Sequence, residues 1–314
     1  MIQGIPNFLY EKLIKQYGEE TTNKIIEGYS KNRPVTLRVN TLKNNIQNVK
    51  EIFANQESNV QEVSWYKNAL IIPKRSEGTG LYDTKKYENE IRQLDIYNNG
   101  EIYLQSLSSM MPVIMLEPKP EENILDMAAA PGGKTTQIAS ETGDKSFITA
   151  CEKNKIRCER LKYNIEKQGA KRITILSQDA RELDNFFSFD KILLDAPCSG
   201  SGTLSLEDEK LEKIFTEELV TRSVKTQMEL LKKAITVLKS GHEMIYSTCS
   251  ILKEENEENL SKILKTGKVE LVPIDMNKQE FKDIPLLPVT IEGTVCVCPS
   301  ELYEGFFIAK LRKK

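Results

Sequence analysis

Asp126-Met127-Ala128-Ala129-Ala130-Pro131-Gly132-Gly133-Lys134-Thr135 is the stretch that decides the fold of this 314-residue chain. The apolar residues at 124–127 predict a buried strand, and the residues at 133–140 predict a helix directly after it. The small residues and glycines between them let the backbone approach a ligand closely, and a helix N-terminus presents free N–H groups. The stretch therefore predicts a nucleotide-like ligand at the end of a strand.

Two common nucleotide sites do not fit this stretch. A phosphate-binding P-loop requires a glycine at the position of Ala128, and the dinucleotide pattern Gly-x-Gly-x-x-Gly is absent. The ligand is therefore expected to differ from a nucleoside triphosphate and from a dinucleotide.

Outward from this stretch, strands and helices alternate. Such alternation predicts an α/β fold with a doubly wound, mostly parallel sheet and right-handed crossovers. The apolar segment 305–311 fits a final strand, for which an antiparallel edge position is one option. The further strands are predicted at 147–151, 173–176, 191–194 and 243–247, and the further helices at 154–168 and 217–238.

The chain before residue 100 has a different texture. Strands at 35–39 and 69–72 and a helix at 45–53 predict a small α+β module. The charged segment 74–99, with Gly78 and Gly80 inside it and Gly100 after it, is expected to be a linker or loop. We therefore predict two domains, an N-terminal module at 1–100 and a catalytic domain at 101–314.

Acidic residues mark four successive strand ends: Asp126, Glu152, Asp179 and Asp195. A carboxylate after the second strand, such as Glu152, accepts hydrogen bonds from ribose hydroxyls in related folds. An acidic rim repels phosphates but suits a cationic ligand, and S-adenosylmethionine carries a sulfonium, an amine, a ribose and an adenine. Helix capping alone would explain any one of these acids, but it is a weaker explanation for four in register.

Two cysteines also stand at predicted strand ends. Cys198 lies in Asp195-Ala-Pro-Cys-Ser-Gly-Ser-Gly202, and Cys249 lies in Tyr246-Ser-Thr-Cys-Ser250. Ligands of open α/β sheets bind at the edge where parallel strands end, so both thiols are expected there. The other four cysteines are interpreted as core residues: Cys151, Cys158, Cys296 and Cys298. With no Cys-x-x-Cys and a single histidine, His242, read as a turn residue, no metal site is predicted.

Composition limits the partners. The hydrophobic share of 39% and the charged share of 29% are ordinary for a folded globular chain. No apolar stretch approaches the roughly 18 residues of a membrane span, and no signal peptide is visible. We therefore expect a cytoplasmic protein without membrane contact, a monomer with no obligate protein partner.

Because the net charge is −2, a polyanion would need a local patch. Its candidates are Lys31, Arg33, Arg38 and Lys43, then Lys67, Lys74, Arg75, Lys85, Lys86 and Arg92, and the tail 310–314.

Three motifs carry a family resemblance. The stretch at 126–135, the Asp195–Gly202 segment and the Tyr246–Ser250 segment followed by Glu255-Asn256-Glu257 resemble the signatures of the Sun family of RNA cytosine-5 methyltransferases. The resemblance spans about residues 33–312. It implies a class I methyltransferase (Rossmann-like) fold with a seven-stranded sheet, an N-terminal RNA-binding module, RNA as the partner, and S-adenosylmethionine as the methyl donor.

The resemblance also implies roles for single residues. Cys249 would add to carbon 6 of cytosine, because carbon 5 alone is too electron-poor to attack a sulfonium methyl. Cys198 would help to release the methylated base, and Asp195 would face the N3 edge of the ring. The residues implied or inferred to bind the methyl donor are Ala128, Ala129, Ala130, Pro131, Gly132, Gly133, Lys134, Glu152, Asp179 and Asp195.

The chain departs from the family pattern at three places. Ala128 stands where a cysteine is frequent, and Pro299-Ser300 stands where a proline-histidine pair is often found. The segment 204–213 is acidic where the family often has basic residues. RNA contact through that segment is therefore in doubt, and no role for a histidine at position 300 carries over.

Several functions stay open from sequence. Ribosomal RNA is the first expected substrate and transfer RNA the second. A DNA cytosine-5 methyltransferase would use Cys198 as nucleophile and would not need Cys249, and an adenine N6-methyltransferase would want an aromatic residue at position 198. A catalytically dispensable RNA-binding factor for ribosome assembly is the alternative of another class.

Overall fold

The computed structural model describes residues 4–55, 58–73, 84–208 and 210–314. Within these residues the helices are α1 Asn7–Tyr29, α2 Ile46–Ala54, α3 Thr84–Ile91, α4 Asp95–Asn98, α5 Leu107–Leu116, α6 Gly133–Glu141, α7 Lys155–Gln168, α8 Leu211–Ile214, α9 Glu217–Val237 and α10 Glu257–Leu264. The strands are β1 Val35–Val39, β2 Gln61–Glu62, β3 Ala69–Ile72, β4 Ile102–Leu104, β5 Asn123–Asp126, β6 Phe147–Cys151, β7 Ile173–Leu176, β8 Phe189–Asp195, β9 Leu238–Thr248, β10 Val269–Val272, β11 Val295–Val297 and β12 Phe306–Lys313.

The larger sheet confirms the predicted α/β fold. Its strands run in the order β10-β12-β9-β8-β5-β6-β7, and the five strands from β9 to β7 are parallel to their neighbours. Strand β12 is antiparallel to β9, which was one of the options that the sequence left open. A short extra strand, β11, pairs with the first half of β12, beside the seven-strand path, and β10 pairs with the second half.

Helices cover both faces of this sheet, and the strand residues alternate between them. Ile192 and Leu194 belong to a core formed with α1, α9 and α10, whereas Leu193 belongs to the opposite core formed with α5, α6 and α7. Because residues on both faces of such a strand are buried, its sequence is a continuous apolar run, which is typical of parallel sheets. The apolar runs of the sequence therefore mark the central strands.

The N-terminal module has its own sheet, in the order β2-β3-β1-β4. Helix α2 begins at a cap in which the side chain of Asn45 accepts from the N–H of Asn48, and its apolar face packs on the strands through Val49 and Phe53. Strand β4 pairs with β1, so the module's sheet includes residues 102–104. The domain boundary at 100/101 stays a prediction that lies just before this strand.

The expectation of a linker or loop at 74–99 was wrong for its second half. Residues 84–91 form α3 and residues 95–98 form α4, because Tyr87, Ile91 and Ile96 are spaced to bury an apolar stripe against the module's core. The charged residues between them mark the solvent side of these helices. Residues 74–83, with Gly78 and Gly80, lie outside the described residues.

Buried polar contacts join the module to the catalytic domain. Arg38 on β1 is fully buried and donates to Thr136 at 3.0 Å and to Gln105 at 3.3 Å. Asn40 donates to the carbonyl of Gln168 at 2.7 Å, and Trp65 donates to the hydroxyl of Tyr303 at 3.0 Å. The module is therefore packed directly against the helices that follow the ligand-binding strands.

These contacts correct the predicted basic patch. Arg38 faces the interior, and Arg33 is half-buried, donating to the carbonyls of Gly28 and Tyr303. In the tail, Lys310 is buried and paired with Glu117 and Glu243. These cations belong to packing rather than to an exposed patch. Lys74 and Arg75 lie outside the described residues.

No helix in the described part of the chain is both long and apolar enough to cross a bilayer.

Candidate active site

Two adjacent parallel strands bring three of the predicted site residues together. Strands β8 and β9 pair in a register that places Asp195 opposite Ser247, and the N–H of Ala196 donates to the carbonyl of Ser247 at 2.8 Å. Cys198 follows β8 by three residues, and Cys249 directly follows β9. The parallel register therefore turns a separation of 51 residues in sequence into contact between neighbouring loops.

The two thiols touch each other. The Sγ atoms of Cys198 and Cys249 lie 3.2 Å apart as a hydrogen-bonded pair, and both residues are partly exposed. The hydrogen bond to Cys249, followed by burial, raises the pKa of the Cys198 thiol well above its ordinary value. The raised pKa favours the protonated form of Cys198, and either sulfur can be the donor in this contact.

The backbone fixes both loops against the C-terminal strand. The N–H of Gly202 donates to the carbonyl of Cys249 at 2.9 Å, and the N–H of Gly305 donates to the carbonyl of Gly202 at 2.7 Å. A side chain at Gly202 would place its Cβ 2.0 Å from the carbonyl oxygen of Gly305. Only glycine fits this approach, which holds the Cys198 loop beside the Cys249 loop.

Asp195 forms an ion pair with Lys134 at the same edge. The Lys134 Nζ lies 2.8 Å from the Asp195 Oδ2 and donates to Ser109 at 2.6 Å. Burial by itself lowers the pKa of Lys134, but Asp195 raises it overall above its ordinary value. Ser247 donates to the other carboxylate oxygen of Asp195 at 2.8 Å. Lys134 thus links the predicted methyl-donor loop to the end of β8, three residues before Cys198.

The loop at 128–134 has the shape that the sequence predicts. Gly132 precedes helix α6 with φ at +108°, a conformation that favours glycine, and packs against Leu161. The first intrahelical bond runs from the N–H of Thr136 to the carbonyl of Gly132, so the preceding N–H groups of α6 have no helical acceptor. These groups can bind a polar ligand at the end of β5.

The strand-end acids differ in their surroundings. Asp126 is fully buried, accepts from Thr135 at 2.7 Å, and has its pKa raised by burial to about 6. Glu152 accepts from the N–H of Asn154 at 2.8 Å, and the second oxygen of its carboxylate lies 3.6 Å from Arg157. Both acids are therefore buried where their strands end, and they differ in their hydrogen-bond partners.

Asp179, the acid after β7, binds a cation of its own chain. Arg181 donates to both of its carboxylate oxygens, at 3.0 and 2.7 Å, and lowers the pKa of Asp179 below its ordinary value. A ligand at Asp179 would share this carboxylate with Arg181. Its predicted role in binding a methyl donor stays a prediction.

Glu255 is a further residue of the site, which the sequence alone showed only as part of the Glu255-Asn256-Glu257 motif. Glu255 is fully buried and accepts hydrogen bonds from both cysteine loops. Its spacing of six residues after Cys249 was visible, but its partners on the other loop could not be derived from a local pattern. The four cysteines interpreted as core residues are buried, as predicted.

The acidic segment after Gly202 packs on the N-terminal helix. Leu204 and Leu211 are buried, and the N–H of Leu206 donates to the carbonyl of Tyr29 at 3.3 Å. Glu207 accepts from Asn32 at 3.3 Å on the surface. These contacts explain how the segment is held without a nucleic acid. Glu209 lies outside the described residues.

A group of cations lies where the module meets α7. We call Lys43, Arg92, Arg160 and Lys167 the cleft cations, because all except Lys43 line a cavity of about 380 Å³ that reaches Pro131 of the loop and Lys43 adjoins it. Lys43 donates to the carbonyl of Lys167 at 2.8 Å. The Lys167 Nζ lies 3.5 Å from the ring centroid of Tyr97. Burial, together with Arg92 and Lys43, lowers the pKa of Lys167, so positive charge is concentrated here.

Among the residues that the structure describes, no group of three or more His, Cys, Asp or Glu side chains is arranged to hold a metal ion.

The sheet order, the glycine-containing loop after β5 and the strand-end acids define the class I methyltransferase fold. A family model described as 16S rRNA methyltransferase RsmB/F matches residues 113–312, and a model for the ferredoxin-like domain of RsmF/B-like methyltransferases matches residues 5–77. The chain belongs to the RsmB/F methyltransferase family, and the resemblance to the Sun family is confirmed.

The names of two relatives refer to different RNA substrates. The 28S rRNA (cytosine-C(5))-methyltransferase of Mus musculus is 33% identical over an alignment of 318 positions that covers 98% of this chain and 38% of the relative. The tRNA (cytosine(72)-C(5))-methyltransferase of Pyrococcus horikoshii is 36% identical over an alignment of 233 positions that covers 71% of this chain and 55% of the relative. The chain thus spans about half or less of the length of these two relatives.

A solved structure covers the whole chain. The crystal structure of NSun6 from Pyrococcus horikoshii with SFG, an analogue of S-adenosylmethionine, has a TM-score of 0.85 and 25% sequence identity. The match covers 100% of this chain and 99% of the other. The likeness therefore includes the N-terminal module as well as the larger sheet.

Proposed function

We propose that this chain is an S-adenosylmethionine-dependent RNA cytosine-5 methyltransferase, with ribosomal RNA as the first candidate substrate and transfer RNA as the second. The observation that carries the proposal is the 3.2 Å contact between the thiols of Cys198 and Cys249 beside Asp195. Relatives named for both kinds of RNA support the reaction class.

The proposed chemistry begins at Cys249. Its thiolate forms a bond from sulfur to carbon 6 of cytosine, and the displaced ring electrons move towards N3, where Asp195 in its protonated form donates a proton or a hydrogen bond. A proton transferred to N3 returns to Asp195 when the ring double bond is restored. Carbon 5 becomes nucleophilic as a result. S-adenosylmethionine, when bound, supplies the electrophilic methyl group that carbon 5 accepts.

Contact between the thiols lets the two cysteines take different roles, with Cys249 in addition and Cys198 in release. Before addition, the S–H of Cys198 donates to the sulfur of Cys249 and stabilises negative charge there. Once the sulfur of Cys249 is bonded to carbon 6 it carries no charge, so this cause of the raised pKa of Cys198 disappears. Cys198 then loses its proton to solvent, and its thiolate removes the proton from carbon 5. The sulfur–carbon bond breaks, its electron pair returns to Cys249, and the ring double bond is restored.

The residues at the sheet edge fit the methyl donor. The loop residues 128–134 would approach it with backbone N–H groups at the start of α6, and the carboxylates of Glu152 and Asp179 would accept from its ribose and adenine. Asp195, paired with Lys134, would lie between this loop and the base.

The cleft cations are the proposed contact for the RNA backbone. They lie at the junction of the module and α7, and tyrosine rings stand among them. Single-stranded RNA is bound by basic grooves with aromatic rings on which bases stack. Because the target base must leave its stack to reach the cysteines, an unpaired target would cost less to bind.

The test of the mechanism is a trapped adduct. Cys198→Ala, incubated with S-adenosylmethionine and RNA from cells that lack this protein, is expected to accumulate a protein–RNA adduct that survives denaturant. The wild type should show far less adduct, because it completes the release. A Cys198→Ala protein that turns over normally without adduct would contradict the proposed part of Cys198.

The choice of RNA is tested separately. Bisulfite sequencing of ribosomal and transfer RNA, from cells with and without this protein, should reveal a cytosine that loses its methyl group when the protein is absent. Loss in transfer RNA alone would overturn the first candidate and keep the reaction. An unchanged map of both RNAs would contradict the activity and favour a non-catalytic role.

A further inference from the structure

Glu255 is a fully buried carboxylate whose hydrogen bonds all come from neutral donors. Its Oε1 accepts from the N–H of Ser199 at 2.8 Å and from Gln227 at 3.0 Å, and its Oε2 accepts from the hydroxyls of Ser199 and Ser250, both at 2.5 Å. Within the described residues it forms no ion pair at 4.0 Å or less. Burying a charge is costly unless its hydrogen bonds are complete, so these four donors are needed to keep it there.

The donors belong to both cysteine loops. Ser199 follows Cys198, and Ser250 follows Cys249. Gln227 on α9, the remaining donor, also donates to the carbonyl of Pro197 at 3.0 Å. One carboxylate is therefore the common acceptor of the residues that flank the two thiols.

Other bonds also cross between the cysteine loops. The hydroxyl of Ser201 lies 2.7 Å from that of Ser250 and accepts from the N–H of Ile251 at 2.9 Å, and the N–H of Gly202 donates to the carbonyl of Cys249. Glu255 adds side-chain bonds to Ser199 and Ser250, the residues directly next to Cys198 and Cys249. Because these bonds lie beside the thiols, their loss is expected to change the 3.2 Å thiol contact while the other bonds keep the loops in place.

We propose that Glu255 is a positioning residue that holds Cys198 against Cys249, so that release follows addition without delay. The proposal rests on the proposed function. Glu255 touches neither sulfur through its hydrogen bonds and acts through Ser199 and Ser250. Small displacements of reacting groups cost up to about 100-fold in rate, so a loosened Cys198 loop would slow release.

The chain offers a matched control two residues further on. Glu257 is also a buried carboxylate, 5% exposed, and it accepts from the N–H and the hydroxyl of Thr290 and from the N–H of Ile291. Its hydrogen bonds tie α10 to the segment at 290–291, away from the cysteine loops. Glu255→Gln and Glu257→Gln therefore remove the same chemical group from two comparable networks.

The experiment separates addition from release. RNA transcribed with 5-fluorocytidine, incubated with S-adenosylmethionine, traps the adduct after methyl transfer, because carbon 5 then carries fluorine and methyl and has no proton to lose. The rate at which this adduct forms reports addition and methyl transfer without release. RNA from cells that lack this protein reports turnover and the share of protein held as adduct. Thermal unfolding of each variant reports the cost to the fold.

We expect Glu255→Gln to lower turnover about 10- to 100-fold and to raise the share of adduct on natural RNA, with a smaller change in addition to 5-fluorocytidine RNA. Glu257→Gln should lose comparable thermal stability and keep the wild-type share of adduct. If Glu255→Gln does not fold, Ser199→Ala carries the test, because it removes one bond to the Cys198 loop and keeps the carboxylate. It should raise the share of adduct to a smaller extent.

Equal adduct shares in the Glu255→Gln and Glu257→Gln proteins would overturn the proposal and leave Glu255 a purely structural residue. The Cys198→Ala protein, run on the same RNA, distinguishes this outcome from a failure of the proposed function. If Cys198→Ala forms adduct and Glu255→Gln shows no excess, only the positioning role fails. If Cys198→Ala also forms none, the proposed mechanism fails with it.

Discussion

Two regions support the proposed activity. The edge where β8 and β9 end supports the chemistry, and the basic surface of the N-terminal module supports RNA binding. They are built in opposite ways. At the edge, the functional residues lie within three residues of a strand end, and the parallel register brings them together. On the module, the charged residues are spread along the chain, and packing decides which of them meet solvent. A site fixed by register is local in sequence, whereas a charged surface is not.

The largest expected effect tests the edge. Cys249→Ala should abolish methylation and adduct formation together, because Cys249 is the proposed nucleophile and Cys198, the other thiol of the site, acts only in release in the proposed mechanism. Methyl transfer from labelled S-adenosylmethionine to RNA measures the first, and denaturing gel electrophoresis measures the second. Its control is Cys296→Ala, since burial raises the pKa of Cys296 to about 12 and its thiol lies inside the core. Methylation by Cys249→Ala would assign the nucleophile to another residue and break the comparison.

A smaller loss is expected at the acid of the same edge. Asp195→Asn removes the negative charge that pairs with Lys134 and the carboxyl proposed to face N3, and should lower turnover about 100- to 1000-fold. Addition to 5-fluorocytidine RNA should slow as well, because Asp195 acts before release. Ser247→Ala is the matched control, since it removes one hydrogen bond to Asp195 and keeps the carboxylate. If both variants lose the same activity, the charge of Asp195 has no part in addition.

The β8/β9 edge and the module's basic surface also differ in how well the sequence predicts them. The strand-end positions of Cys198 and Cys249 follow from apolar runs and the parallel topology, and the structure places their thiols in contact. Arg38 has the same charge as an exposed arginine, and only the packing of β1 against α6 and its neighbours shows that it is buried. Helices α3 and α4 were missed for a related reason, because a few buried apolar residues outweighed a charged composition.

Asn40 sharpens the comparison from the side of the module. It is buried and donates to the carbonyls of Gly100 and Gln168, and it accepts from the N–H of Leu42. Asn40→Ala would leave these groups without a partner and should lower the free energy of unfolding by about 2–4 kcal/mol. Chemical denaturation measures the loss. Asn48→Ala, on the exposed face of α2, should change it by less than about 0.5 kcal/mol. Equal losses would mean that the buried contacts do not hold the module in place.

The smallest expected effect tests whether the cleft between the module and α7 acts in RNA binding at all. The double variant Arg160→Ala/Lys167→Ala removes two cleft cations, and each lost phosphate contact should reduce the salt dependence of RNA binding by about 0.7 in the slope of log K against log salt. Fluorescence anisotropy with labelled single-stranded RNA at several salt concentrations measures the slope. Lys31→Ala is the control, because Lys31 is an exposed cation of the predicted patch that pairs with Glu27 at the end of α1. A slope that falls for Lys31→Ala and not for the double variant would move the RNA contact away from the cleft. The converse would show that packing, rather than the density of basic residues in the sequence, selects the cations that meet RNA.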